Sequence, residues 1–171
     1  STGAGGAEVM EYVGIPTVAA IIAALDGLDE IGAGGELPIV LMGGLKDGVD
    51  ATKALCLGAD AVAFGTTTII AGGCIACMQC HIGNCPVGIA TQDPDHEKRY
   101  QPEIEAQNIH RFLEGVRWQI AALTHGLGHG SVKDLSRDDL VALTPEVAAI
   151  TKLPYEPGYR DRGENLRRET G

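Results

Sequence analysis

Two short, almost uninterrupted apolar runs, each closed by glycine and separated by one helical segment, constrain the fold of this chain most strongly. The first run extends from Leu37 to Met42 and the second from Ala61 to Phe64. Continuous apolar runs of this length are typical of strands buried on both faces of a parallel sheet. Between them, Asp47 to Leu57 has helical periodicity and ends at Gly58. Because a helix joins the two strands, we predict that they are parallel and that the fold is α/β.

Two parallel strands cannot cover their own faces and edges, so further strands are expected. In a β/α barrel of about 250 residues, each β/α unit contains roughly 30 residues. The β/α units predicted here would then form about the last quarter of the barrel. The chain starts at Ser1, without an initiating Met, in a glycine-rich run. We therefore expect either a preceding portion or partner chains to complete the sheet.

Three further segments have a helical pattern. Pro16 to Leu28 opens with a proline suited to a first helical turn, and Thr66 to Ala71 follows the second strand. Ile104 to Leu123 carries one apolar stripe, typical of an amphipathic helix. Signals for the N-terminal caps of short helices follow at Ser131, Ser136 and Thr144.

Composition and charge exclude several classes of function. The 171 residues include 13 basic and 23 acidic side chains, a net charge of −10. Such a chain is not expected to bind the nucleic-acid backbone, and any phosphate must be held locally by backbone amides. The longest apolar stretch, Val18 to Leu28, is interrupted by Asp26 and is too short to span a bilayer. With no targeting segment visible, we expect no membrane partner and a cytoplasmic location.

Glycines follow directly after both predicted strands, at Gly43-Gly44 and at Gly65-Thr66. In β/α barrels the loops after the last two strands form a common phosphate site, where glycine allows a close backbone approach. Glycines also end strands in other α/β proteins, but glycines at two successive strand ends favour a phosphate-binding site. Lys46 is either an extra donor or a loop residue.

Four of the five cysteines fall within twelve positions: Cys74, Cys77, Cys80 and Cys85. In a reducing compartment, clustered thiols indicate metal or cluster ligands rather than disulfides. The order Cys-x2-Cys-x2-Cys-x4-Cys-Pro is close to the bacterial ferredoxin pattern, which favours an iron–sulfur cluster. Zinc is the main competitor, although it usually takes two separated ligand pairs. Cys56, alone on an apolar helix face, is predicted to lie in the core.

Three segments together carry a resemblance to a known family: Met42 to Asp50, Ala54 to Thr66 and Gly73 to Gln92. They resemble the FMN-binding domain of glutamate synthase over about fifty residues. Thr2 to Ala4, followed by Val13 to Thr17, is similar to that family's glycine-rich loop, and Ile104 to Leu153 is similar to the helical extension after its barrel.

The resemblance implies a fold and a division of the chain. The fold is the C-terminal portion of a (β/α)8 TIM barrel with an iron–sulfur loop and a helical extension. Residues 1–72 would hold the last β/α units, 73–92 the iron–sulfur loop, 93–153 the helical extension and 154–171 a tail.

The resemblance also implies cofactors and their ligands. FMN would lie at the carboxyl ends of the strands, with its phosphate on Gly43, Gly44, Gly65 and Thr66. A three-iron (3Fe-4S) cluster would be held by Cys74, Cys80 and Cys85. Cys77 leaves open a four-iron (4Fe-4S) cluster or a spare thiol.

The family reaction condenses ammonia with 2-oxoglutarate, and reduced FMN converts the resulting imino acid to L-glutamate. Electrons come through the cluster from an electron-donating subunit or ferredoxin, and a glutaminase domain or subunit releases ammonia from glutamine. No catalytic acid or base is assigned in this sequence. His81, His110, His125 and His129 are more typical of surface residues than of catalysts.

Two alternatives remain open from the sequence. One is a related FMN enzyme that reduces another imino acid, for example one formed from methylamine. The other is a module without catalysis that binds zinc or an iron–sulfur cluster and docks on a larger oxidoreductase.

Overall fold

The computed structural model describes residues 5–157. Our expectations for residues 1–4 and for the tail from residue 158 onwards lie outside the described residues. Within residues 5–157 two strands are formed, β1 (Val40–Met42) and β2 (Ala61–Ala63). Seven α-helices occur in the described part: α1 (Ala7–Tyr12), α2 (Thr17–Glu30), α3 (Gly48–Leu57), α4 (Thr66–Ala71), α5 (Pro94–Glu97), α6 (Pro102–Gly126) and α7 (Pro145–Thr151). Short 3-10 turns lie at Cys80–Ile82, Val132–Asp134 and Arg137–Asp139.

The two strands pair in parallel, with Leu41 opposite Val62, and α3 connects them. The predicted strand–helix–strand unit is therefore confirmed. β1 is shorter than the predicted strand, because Pro38 has no amide hydrogen to donate. The amide of Ile39 donates instead to the carboxylate of Asp60, at 2.7 Å.

The prediction that the strands are buried on both faces is wrong for the described residues. Leu41 is 8% exposed and points into the core, whereas its neighbours Val40 and Met42 are 59% and 53% exposed. Successive side chains of a strand point to opposite faces, so one face of β1 is covered and the other is bare. The helices cover one face only, and the second face has no covering layer within residues 5–157.

The core lies between α2, α3 and the C-terminal part of the described chain. α2 contributes Ile21 and Ile22, and α3 contributes Ala54 and Leu57. The remaining members of this buried cluster are Leu41, Ala59, Ala142 and Leu153. The helical extension thus folds back onto the β/α unit and helps to close its core.

The ends of α3 follow the sequence signals closely. The carboxylate of Asp47 accepts hydrogen bonds from the amides of Val49 and Asp50, both at 3.0 Å. At the other end Gly58 adopts a left-handed conformation with φ 115°, which glycine takes without steric cost. Both ends of the connecting helix are therefore set by local chemistry.

The amphipathic helix α6 packs across α3 and α4. The side-chain oxygen of Gln119 accepts a 2.8 Å hydrogen bond from the amide of Gly48, at the start of α3. The rings of Phe64 and Phe112 meet edge to face, 5.8 Å apart. The predicted apolar stripe holds only in part: Val116 is 6% exposed, but Ile104 and Leu113 are 51% and 45% exposed.

The predicted caps in the helical extension are confirmed. Ser131 and Ser136 each form a reciprocal capping box with an aspartate three residues on, and Thr144 caps α7. Asp139 also accepts a 2.8 Å hydrogen bond from His129, which, together with the amide of Ser136, holds the pKa of this carboxyl below its usual value. None of the helices formed by residues 5–157 is long and apolar enough to cross a bilayer.

The close approach of α3 and α6 is tested by substituting Gly48 with alanine. An added Cβ would lie 2.5 Å from the carbonyl oxygen of Val116 and 2.6 Å from Cβ of Gln119. Because the clash involves a helix backbone, we expect Gly48→Ala to lower the free energy of unfolding by about 1–3 kcal/mol. Chemical denaturation monitored by circular dichroism measures this change.

The matched control is Gly115→Ala in the interior of α6. A Cβ at Gly115 meets no atom within 4 Å, so this substitution should raise the free energy of unfolding by roughly 0.5–1 kcal/mol through helix propensity. Equal effects of the two substitutions would contradict the packing described.

Candidate functional site

The first cavity of the candidate site lies at the carboxyl ends of both strands. Its volume is about 370 Å³. The four residues predicted to hold phosphate, Gly43, Gly44, Gly65 and Thr66, all line it. Because parallel strands end at the same edge of a sheet, two loops about twenty residues apart in sequence face one space. We call this cavity the strand-end cleft.

Threonine side chains fix the loops that form the strand-end cleft. The hydroxyl of Thr17, the first residue of α2, donates to the carbonyl oxygen of Gly43 at 2.9 Å. The hydroxyl of Thr67 donates to the carbonyl oxygen of Leu45 at 2.6 Å, which ties the loop after β1 to α4. Gly43 and Gly44 have φ values of 117° and 72°, so side chains there would be strained.

The glycines leave room for a close ligand. A Cβ at Gly65 would meet no atom within 4 Å, and one at Gly44 would meet only the hydroxyl oxygen of Thr17, at 3.8 Å. Lys46 also lines the cleft, and Thr66 is exposed at its edge. Backbone amides, a hydroxyl and an ammonium group are the donors that a phosphate group requires, so the cleft fits one.

The rest of the strand-end cleft is apolar, and the sequence analysis did not identify this part. Met10 of α1, Ile70 of α4 and Met78 of the cysteine-rich loop line it. Their side chains offer the aliphatic and thioether surface against which a planar ring can pack. Met78 stands between two predicted cluster ligands, but a sequence pattern does not show which way its side chain points.

The second cavity is formed by the cysteine-rich loop and has a volume of about 220 Å³. Cys74, Cys77, Cys80 and Cys85 all line it. The rest of its wall is aliphatic: Ile69, Ile75, Val87, Ile89 and Ala90. All four thiols are free of disulfide bonds. We call this cavity the thiol pocket.

Backbone amides support the sulfur atoms of the thiol pocket. Cys85 is 4% exposed, and burial raises the pKa of its thiol. Hydrogen bonds from the backbone of Ala90 and residues 87–89 outweigh that effect and bring the pKa of Cys85 below its usual value. The amide of Ala76 donates to the sulfur of Cys74 at 3.3 Å. This donor set suits thiolates that bind a metal cluster.

The histidines considered from the sequence lie outside the thiol pocket. His81 is exposed and lines a separate shallow cavity with Cys80. His110 and His125 are exposed on α6. Among residues 5–157, no three His, Cys, Asp or Glu side chains are already arranged around a single metal ion.

Cys56 lies in the core, as predicted, and is 1% exposed. Burial raises the pKa of its thiol, and the negative charge of Asp139 raises it further. Cys56 is therefore chemically separate from the four cysteines of the loop.

The strand-end cleft and the thiol pocket share a wall. On α4, Ile70 lines the cleft and its neighbour Ile69 lines the pocket. In the loop, Met78 lines the cleft and its neighbour Cys77 lines the pocket. The two cavities therefore lie next to each other, on different sides of α4 and of the cysteine-rich loop.

A glycine-lined cleft at parallel strand ends, directly beside a pocket of four thiols, is typical of oxidoreductases with an α/β fold. Comparison with known proteins agrees with this class. Residues 1–130 match the family model described as a conserved region in glutamate synthase. The chain belongs to the glutamate synthase family.

Several similar relatives carry the same name. An archaeal-type glutamate synthase (NADPH) of Dehalococcoides mccartyi is 38% identical over 135 residues, 79% of this chain and 27% of that protein. A glutamate synthase large subunit-like protein of Rhizobium meliloti is 34% identical over 161 residues, 85% of this chain and 36% of that protein. A chloroplastic/mitochondrial ferredoxin-dependent glutamate synthase of Arabidopsis thaliana is 35% identical over 114 residues, 66% of this chain and 7% of that protein. The chain spans about a quarter to a third of the length of the first two.

The different settings of the thiols predict different reactivities towards an alkylating reagent. In the native protein without bound metal, the half-buried Cys74, Cys77 and Cys80 should be alkylated first. Cys56 should react at least about 100-fold more slowly, because burial removes both access and thiolate character. Peptide mass spectrometry after timed alkylation measures each rate, and denatured protein is the control, in which all five cysteines should react. Equal rates for Cys56 and Cys77 in the native protein would contradict the structure.

Proposed function

We propose that this chain forms the flavin- and cluster-holding part of an enzyme that makes L-glutamate by reduction. The substrates would be 2-oxoglutarate and ammonia released from glutamine. Membership of the glutamate synthase family supports this proposal. The observation that carries it is the shared wall between the strand-end cleft and the thiol pocket.

FMN fits the strand-end cleft in two ways. Gly43, Gly44, Gly65 and Thr66 surround open space at the strand ends, which suits its phosphate. The apolar side chains of Ile70 and Met78 would pack against a flat ring. Bound there, FMN would supply the hydride that reduces the imino acid formed from 2-oxoglutarate and ammonia.

An iron–sulfur cluster fits the thiol pocket. Cys74, Cys80 and Cys85, the three ligands that the family resemblance implies, all face it, and backbone amides support their sulfur atoms. The aliphatic remainder of the wall offers no side-chain ligand that would compete with the thiols. The role of the chain itself would be to hold the two groups close together.

The bare face of β1 supports a place in a larger barrel. Val40 and Met42 expose apolar side chains on the face opposite the helices, and in a β/α barrel that face points into a filled interior. We therefore infer that the two β/α units are the last units of a (β/α)8 TIM barrel. Residues that bind 2-oxoglutarate would then lie on other strands.

The remaining parts of the reaction need partners. A glutaminase domain or subunit would release ammonia, and an electron-donating subunit or ferredoxin would reduce the cluster. The relatives' names include both NADPH and ferredoxin as electron sources. Such an enzyme would work in the cytoplasm.

Filling the strand-end cleft tests the proposed flavin site. No atom lies within 4 Å of the position that a Cβ at Gly65 would take, so the side chain of Gly65→Leu should extend into the cleft and fill it. We expect the Kd for FMN to rise at least about 100-fold, equivalent to roughly 3 kcal/mol. Quenching of FMN fluorescence on titration with protein measures the Kd.

Gly126→Leu is the matched control, because Gly126 is also free of neighbours within 4 Å and lies at the end of α6, outside the cleft. It should leave the affinity for FMN unchanged. If Gly65→Leu binds FMN as tightly as Gly126→Leu does, the cleft is not the flavin site.

A further inference from the structure

The four cysteines of the loop are equivalent in one respect: each of them lines the thiol pocket. The three-cysteine spacing Cys-x5-Cys-x4-Cys leaves Cys77 without a role, yet its side chain is half-buried against the same cavity as the other three. We propose that Cys77 is the fourth ligand and that the pocket holds a four-iron cluster. This inference rests on the proposed function, since it specifies the cluster that the pocket would bind.

The backbone around Cys77 supports this assignment. Among the non-glycine residues of 5–157, positive φ values occur at Ala76 (53°), Met78 (58°) and Lys152 (59°). Lys152 follows the last turn of α7, where such a conformation is a common cap. Ala76 and Met78 flank Cys77 on both sides. Residues with a Cβ are strained in this region, and such strain is found at ligand clamps.

The left-handed backbone at Ala76 and Met78 affects where the neighbouring side chains point. The chain turns on both sides of Cys77, so that Cys77 lines the thiol pocket while Met78 lines the strand-end cleft. An ordinary surface loop would not need two left-handed residues to place a spare thiol. The strain is accounted for if the sulfur of Cys77 must reach a cluster.

The chemistry of the wall points to the same conclusion. Apart from the four cysteines, only aliphatic side chains line the thiol pocket, so thiolate sulfur is its one kind of side-chain ligand. A three-iron cluster is a cubane that lacks one iron, whereas four thiolates match the four irons of a complete cubane. The number of thiols in the pocket therefore favours a four-iron cluster.

The step from three irons to four balances without a further reagent. If one Fe²⁺ were added to a reduced three-iron core of charge zero, the product would be a four-iron core of charge +2. The thiol of Cys77 would lose its proton to water, and its sulfur would bind the added iron. No oxidant or reductant is consumed.

Iron content and electron paramagnetic resonance (EPR) of the full chain, reconstituted anaerobically with iron and sulfide, test the inference. The unsubstituted protein should hold about four irons and show no EPR signal as reconstituted, since a +2 four-iron cluster is diamagnetic. Cys77→Ala should hold about three irons and show the signal of an oxidised three-iron cluster. Alanine is chosen because serine could itself bind iron.

Cys56→Ala is the control, because it removes a core thiol outside the pocket. It should retain the iron content and the silent EPR spectrum of the unsubstituted protein. An unsubstituted protein with about three irons and an oxidised three-iron signal overturns the inference and leaves the proposed function intact. So does an iron content of about four that persists in Cys77→Ala. If the unsubstituted protein takes up no iron, both the inference and the proposed function are overturned. This outcome does not depend on whether a variant folds.

Discussion

The parallel pairing of β1 with β2 is the constraint on which the rest of the structure depends. Its register places Met42 opposite Ala63, so both strands end at the same level. The loops that follow therefore open into one cleft, and α4 starts directly beside it. Because α4 leads straight into the cysteine-rich loop, the same pairing also places the thiol pocket next to the cleft. A change of register would shift Gly43 and Gly44 along the sheet relative to Gly65 and Thr66, and the cleft would lose its shape.

Much of this arrangement follows from local sequence signals. Apolar runs closed by glycine predicted both strands, and the cap residues Ser131, Ser136 and Thr144 mark helix starts that the structure confirms. The residues of the strand-end cleft could be proposed because glycine at the end of a parallel strand has one common use. The cysteine spacing was sufficient to propose a cluster, and the core position of Cys56 followed from its helix face.

Other features could not be read from the sequence, because they depend on which elements meet. The apolar run of β1 predicted burial on both faces, but a run does not show whether a second layer is present, and Val40 is exposed. The hydrogen bond from Thr17 to Gly43 joins residues 26 positions apart. The opposite directions of Cys77 and Met78 depend on left-handed backbone at two residues that are not glycine. Sequence patterns give no signal for such a conformation.

Our proposal that one chain holds a flavin and an iron–sulfur cluster in adjacent cavities is tested most directly by the anaerobic absorption spectrum of the purified protein. The spectrum should show the visible bands of bound FMN together with the broad absorbance of an iron–sulfur cluster. In Cys80→Ala the cluster absorbance should be lost and the flavin bands should remain, because Cys80 lines the thiol pocket and a shallow neighbouring cavity but not the strand-end cleft. A colourless protein that contains one zinc ion per chain would contradict the proposal.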